Sequence, residues 1–186
     1  LLGALRWGLK RDVGHAWKAY RGWLVMVPLV VAAILLGRAA TIMFFTFVTI
    51  LGLKEFSRAT GLYRDWPMTA VMYLGAFAVA ITALVPDPKL GVHGWYGLFV
   101  ILPVYTIAAI LLMPILRNRA QGQLQSIALA VLGFLYIGWM CGHVAFLANA
   151  KHAYGYLLYL LLAVELNDVA AFTFGRLFGC HPLRSN

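Results

Sequence analysis

"WLVMVPLVVAAILLGRAATIMFFTFVTILGL", residues 23–53, contains a single charged side chain, Arg38. At about 1.5 Å per residue an unbroken helix over this stretch is too long for one untilted crossing of a ~30 Å hydrocarbon layer. A break at Gly37-Arg38 gives two rather short crossings instead, and charge decides between the two readings. With the break, Arg38, Lys89 and Lys151 fall on one side of the membrane. Arg6, Lys10, Arg11, Lys18, Arg21, Lys54, Arg58, Arg64, Arg117, Arg119, Arg176 and Arg184 gather on the other. Without it the charges scatter almost evenly. Lys and Arg concentrate in cytoplasmic loops, so the sequence predicts a break at Gly37-Arg38 and a cytoplasmic N-terminus.

Outward from this stretch the chain keeps the same character. Hydrophobic residues make up 63% of its 186 residues and charged ones 11%, against about 25% charged in a soluble globule. Residues 67–85, 95–116 and 124–147, and a last run starting near Ala153, each supply the ~20 apolar residues of a membrane span. The predicted class is all-α, a polytopic transmembrane helical bundle of about six spans. Pro103 and Pro114 lie within one span, where neighbouring helices can absorb a kink. Residues 85–95, "VPDPKLGVHGW", read as a short external turn. Residues 1–22 form a basic segment with Leu2, Leu5, Leu9, Val13 and Trp17 at helical spacing, as in an amphipathic helix lying on the cytoplasmic leaflet. A frayed basic leader is the alternative. Residues 23–186 form the transmembrane domain.

The formal charge of +9 does not point to nucleic acid, because the cations sit at span ends rather than in one tract. Cys141 and Cys180 are too few and too far apart for a zinc ligand set or an implied disulfide. Leu1 in place of Met, and a stop at Asn186, lead us to expect a fragment at both ends.

"ELNDVAAFTFGRLFG", residues 165–179, carries the chemistry. Entering from outside near Ala153, the last span brings Glu165 and Asp168 about 18–22 Å along its axis, into the cytoplasmic half of the bilayer. A carboxylate at a helix centre costs roughly 2.5–3.5 kcal/mol on insertion scales, and each Leu returns about 0.3–0.6. The five leucines between Leu157 and Leu162 offset about one acid. The second needs an arginine, a metal ion, a water-filled cavity or a proton. At about 100° per residue Asp168, Ala171, Gly175 and Gly179 form one stripe, with Glu165 and Phe172 at its edge. Small residues at this spacing admit a second helix or a polyphosphate, with Arg176 as charge partner. The structural alternative is an intrabundle Asp168–Arg pair with glycines that only pack helices.

"NDVAAFTFGRLFGCHPL", residues 167–183, resembles the N-D-x-x-A-[YF]-x-x-G-R-x-F-G-x-x-P-L segment of the CDP-diacylglycerol synthases, or phosphatidate cytidylyltransferases. "LGLKEFSRATGLY", with Lys54-Glu55-Phe56 at a cytoplasmic span end, is weakly similar to an earlier family step. The resemblance implies transfer of the cytidylyl group of CTP to phosphatidic acid, giving CDP-diacylglycerol and pyrophosphate, with Mg²⁺ as cofactor. It implies substrate contacts at Asn167, Asp168, Gly175 and Arg176. A multi-pass location in a bacterial inner (cytoplasmic) membrane and a homodimer are the expected setting. In the family a S-P-K-K-T-x-E-G stretch and a paired-aspartate signature that holds the metals follow this segment. Catalytic residues are therefore expected beyond Asn186, no metal ligand is assigned within the chain, and the 186-residue chain alone is expected to be inactive. A CTP-dependent polyprenol or phytol kinase, with a related D-x-x-A-x-x-x-G-R-x-x-G segment, is the alternative enzyme. A transporter or scaffold using Asp168 as an ion site is the alternative of another class.

Of the remaining polar residues, His143 beside Cys141 reads as a histidine bonded to a neighbouring helix rather than a proton relay. His93, His152 and His181 read as loop or interface residues. Trp7, Trp17, Trp23, Trp66 and Trp95 read as interfacial anchors, with Trp139 interior. Asn118, Gln121, Gln123 and Gln125 form a polar cytoplasmic turn.

Overall fold

A computed structural model describes residues 14–118 and 121–178. Six long helices cross back and forth: α1 (Gly14–Leu35), α2 (Arg38–Thr60), α3 (Trp66–Leu84), α4 (Tyr96–Leu116), α5 (Leu124–Leu147) and α6 (Ala153–Phe178). No strand occurs among the described residues. Five of the helices are long and apolar enough to span a membrane, and the apolar part of α1, Arg21–Leu35, is shorter. The chain is a multi-pass helical bundle.

The break falls where the charge pattern puts it. Gly37 adopts φ 106° between α1 and α2, a left-handed region that a side chain disfavours. Neither helix is short, because the chain is already helical at Gly14, the first described residue, and α2 continues past Leu53 to Thr60. Residues 14–22 therefore run straight into the first span. The amphipathic pattern of residues 1–13 lies outside the described residues, as does the tail with Cys180, His181 and Arg184.

α3 is the most buried span and α6 the least. Met68, Met72 and Val79 of α3 pack with Leu53 of α2, Phe99 and Ile110 of α4 and Phe134 of α5. A second cluster joins Ile34, Ile42, Ala83, Ala145, Ala148 and Leu157 at the opposite end. Close approach to α5 depends on missing side chains: a Cβ on Gly142 would sit 2.5 Å from Val79 Cγ1, and one on Gly133 would sit 2.7 Å from Phe56 Cε1. Pro103 and Pro114 are both buried within a continuous α4. α5 widens to a π-helix over Phe134–Trp139.

Polar side chains tie the ends. Arg38 donates from Nε to Asn149 Oδ1 at 2.6 Å and from Nη2 to the carbonyls of Ala83 and Leu84 at 2.9 and 2.8 Å. One guanidinium thus joins the start of α2, the last turn of α3 and the turn after α5, meeting carbonyls that a helix end leaves free. At the other end Arg117 donates to Asp65 Oδ1 at 2.6 Å, linking the end of α4 to the start of α3. The 85–95 stretch is the expected turn, closed by Asp87, whose carboxylate accepts from the backbone N–H groups of Lys89 and Leu90.

Candidate functional site

α6 positions the acidic stretch. Its 26 described residues rise about 39 Å, more than a ~30 Å hydrocarbon layer, which is long enough to carry its last described turn past the far face of an untilted crossing. The alternation of the six helices carries that end to the side holding Lys54, Arg58, Arg64 and Arg117. The opposite side holds Arg38, Lys89 and Lys151.

The two halves of α6 differ in what covers them. In the first half Leu157 is 3% exposed and joins the cluster of Ile34, Ala145 and Ala148. Contact comes from α1 and the last part of α5. In the second half Asn167 and Asp168 are exposed, and so is Gly175. A Cβ on Gly175 would meet nothing within 4 Å among the described residues. Leu157 and Asp168 nevertheless lie only about 20° apart around the axis, since eleven residues make three turns. One face of α6 is therefore covered by the bundle near its start and bare among the described residues where it becomes polar.

Glu165, at the border of the two halves, is half-buried, and its Oε2 is closed off from solvent without a hydrogen-bond partner among the described residues. Thr173 donates to the Val169 carbonyl, turning its hydroxyl back onto the helix. Arg176 lies in the last described turn of α6. The structure thus puts Asn167, Asp168, Gly175 and Arg176 on one helix end, and assembles no second wall against them from the described residues. No three of His, Cys, Asp and Glu cluster among those residues, so the Mg²⁺ implied by the family resemblance has no assembled ligand set there.

On the same side of the membrane the Asp65–Arg117 pair fixes the ends of α3 and α4. Asn118 takes a φ of 50° in the polar turn that follows, and Gln121 and Gln125 face outward. Gln123 Oε1 is buried and has no partner among the described residues. Arg64 donates to the exposed Tyr63 hydroxyl at 3.5 Å, and this bond, ahead of the guanidinium charge, holds the phenol below its usual range. Sequence reasoning missed both the Asp65–Arg117 pair and the Arg38–Asn149 network, because each joins residues far apart in the chain.

His143 differs from its sequence reading. Its Nδ1 pairs with the Trp139 carbonyl at 3.0 Å, within its own helix, and its ring lies edge-on to Phe99. The π-helix ends at Trp139, the point where the regular bonding pattern is disturbed and such a carbonyl becomes available. Trp139 is interior, packed on Phe99 and His143.

A multi-pass helical membrane protein with an acidic, glycine-bearing helix end on its basic side is the class these features define. Residues 17–185 match the model of the cytidylyltransferase family, and the chain belongs to that family. No curated protein matches the chain, and no solved structure does. Family membership makes it a transferase that uses CTP.

Proposed function

We propose that the protein is a phosphatidate cytidylyltransferase, converting CTP and phosphatidic acid to CDP-diacylglycerol and pyrophosphate. A phosphate oxygen of phosphatidate attacks the α-phosphorus of CTP. The new P–O bond forms as the bond from that phosphorus to the pyrophosphate oxygen breaks. Such a reaction asks mainly for positioning and for cations to meet the charge that builds on the leaving group.

The observation that carries this reading is the polar face of α6 at its emerging end, in a chain of the cytidylyltransferase family. CTP approaches from water and phosphatidate stays in the leaflet, so a polar helix end at that boundary serves both. Asn167 and Asp168 supply hydrogen-bonding groups there, Gly175 leaves room for a phosphate to approach the backbone, and Arg176 brings positive charge.

The test uses the protein expressed from its complete reading frame in membranes, supplied with CTP labelled either in the cytidine or in the γ-phosphate. Cytidine label recovered in CDP-diacylglycerol, dependent on added phosphatidic acid, is the expected result. γ-Phosphate label recovered in a polyprenol or phytol phosphate would replace this reading with the kinase. Hydrogen exchange of residues 165–178 that responds to Na⁺ or pH and not to CTP would replace it with a transporter.

A further inference from the structure

On the membrane side away from the polar end of α6, a cavity of about 160 Å³ opens between the α1–α2 break and the start of α6. Arg38, Lys151, Tyr154 and Thr41 supply its polar side chains, the Thr41 hydroxyl already turned onto the Ala33 and Gly37 carbonyls, and Ile34 and Leu157 supply part of its apolar floor. Among the described residues no carboxylate lines it. We infer that this cavity binds a phosphate group, that of an anionic phospholipid in the leaflet opposite the proposed cytidylyl-transfer site.

Three observations carry the inference. Arg38 is held rigidly by its bonds to Asn149, Ala83 and Leu84 through Nε and Nη2. Among the described residues its Nη1 takes no partner, so two N–H groups of a fixed guanidinium remain to be met. Lys151 is a second cation on the same cavity, exposed and without an ion pair among the described residues. Two cations with no acid between them repel each other, and an anion relieves that repulsion. A planar guanidinium fits a phosphate through paired N–H bonds, and lysine adds a point charge.

The setting narrows the ligand. The cavity is several times the ~30 Å³ share of one water and lies where a lipid phosphate sits, at the boundary of helices and loops. The Tyr154 hydroxyl adds a neutral donor. The floor of Ile34 and Leu157 accepts the glycerol or acyl part of a lipid rather than more water. This site shares no residue with the acidic end of α6, so its fate and that of the proposed transfer reaction are read separately.

The experiment is native mass spectrometry of the whole protein in detergent, offered phosphatidylglycerol, phosphatidylcholine or inorganic phosphate. Phosphatidylglycerol is expected to be retained over phosphatidylcholine, and Lys151→Gln to lower that retention about fivefold. Lys151→Arg is expected to preserve it. Lys89→Gln, which removes a cation from the same side but outside the cavity, is the control and leaves retention unchanged. Displacement of the lipid by millimolar inorganic phosphate, with the same dependence on Lys151, supports the phosphate site and names a free anion as its source. Equal retention of both lipids, or equal loss in Lys89→Gln and Lys151→Gln, overturns the inference. Because Lys151 makes no bond to the bundle among the described residues, the test does not depend on variants of Arg38 that disturb folding.

Discussion

Leu157 and Asp168 share one face of α6, three turns apart, yet Leu157 is 3% exposed and Asp168 stands free of the bundle. The helix passes from a packed, apolar contact to a polar face without changing direction. Its first half holds it in the membrane by burial, and its second half is left with groups that only a polar ligand or another polar element can satisfy.

Substitutions at these two positions are therefore expected to part stability from activity. Leu157→Ala should lower stability by about 2–5 kcal/mol, through lost burial and the cavity it leaves. Asp168→Asn removes a carboxylate from lipid depth without touching the packed core, and should leave stability unchanged or raise it. It should cut CDP-diacylglycerol formation by the complete protein about a hundredfold. Thermal unfolding in detergent and a labelled-CTP assay measure the two effects. Full activity in Asp168→Asn would remove this residue from the site.

Glycines of α5 and α6 should respond oppositely to the same change. Gly142 faces Val79 at a distance that admits no Cβ, so Gly142→Ala is expected to cost about 1–3 kcal/mol. Gly175 has open space around it, and Gly175→Ala should stabilise the helix by about 0.5–1 kcal/mol. A lipid- or detergent-stabilised melting curve tells them apart. Equal tolerance at both positions is the outcome that contradicts the close packing of α3 on α5.

Arg38 should not be replaceable by lysine. Its Nε and Nη2 reach Asn149 and two carbonyls in different directions, and a single ammonium group cannot serve all three. Arg38→Lys is expected to leave at least one acceptor unmet, at a cost of about 1–3 kcal/mol. The readout is the melting temperature beside that of Lys89→Arg, which should not move.

The Asp65–Arg117 pair is 15% and 30% exposed on its two side chains, between a surface pair and a buried one. A double-mutant cycle with Asp65→Asn and Arg117→Gln should return a coupling of about 1 kcal/mol, weakened by salt. Additive single effects would show that the contact contributes nothing beyond its separate members.

Much of the fold was legible in the chain. Apolar run length located α3, α4, α5 and α6, and the uneven distribution of Lys and Arg located the turn at Gly37 inside a stretch that hydropathy alone leaves undivided. The extents of α1 and α2 were less legible, since the helix already runs at Gly14 and continues to Thr60, through polar flanks that hydropathy excludes. Of the candidate site, the stripe of Asp168 and Gly175 follows from helical periodicity, a local property. Its bareness does not, because exposure depends on where α1 and α5 stop touching α6. His143 illustrates the same limit: its partner is decided by a π-helix that no apolar pattern announces.

The sequence by itself determined the solvent in which this chain folds and the series of apolar helices that suits it, because the energy of burying apolar residues in a bilayer depends on composition and order alone. Only the tertiary structure decided which helix faces are covered, that Arg38 meets Asn149 and Arg117 meets Asp65, and that two cations border one cavity. Those contacts join residues brought together from distant parts of the chain, and their energies depend on distances and angles that exist only once the helices have packed.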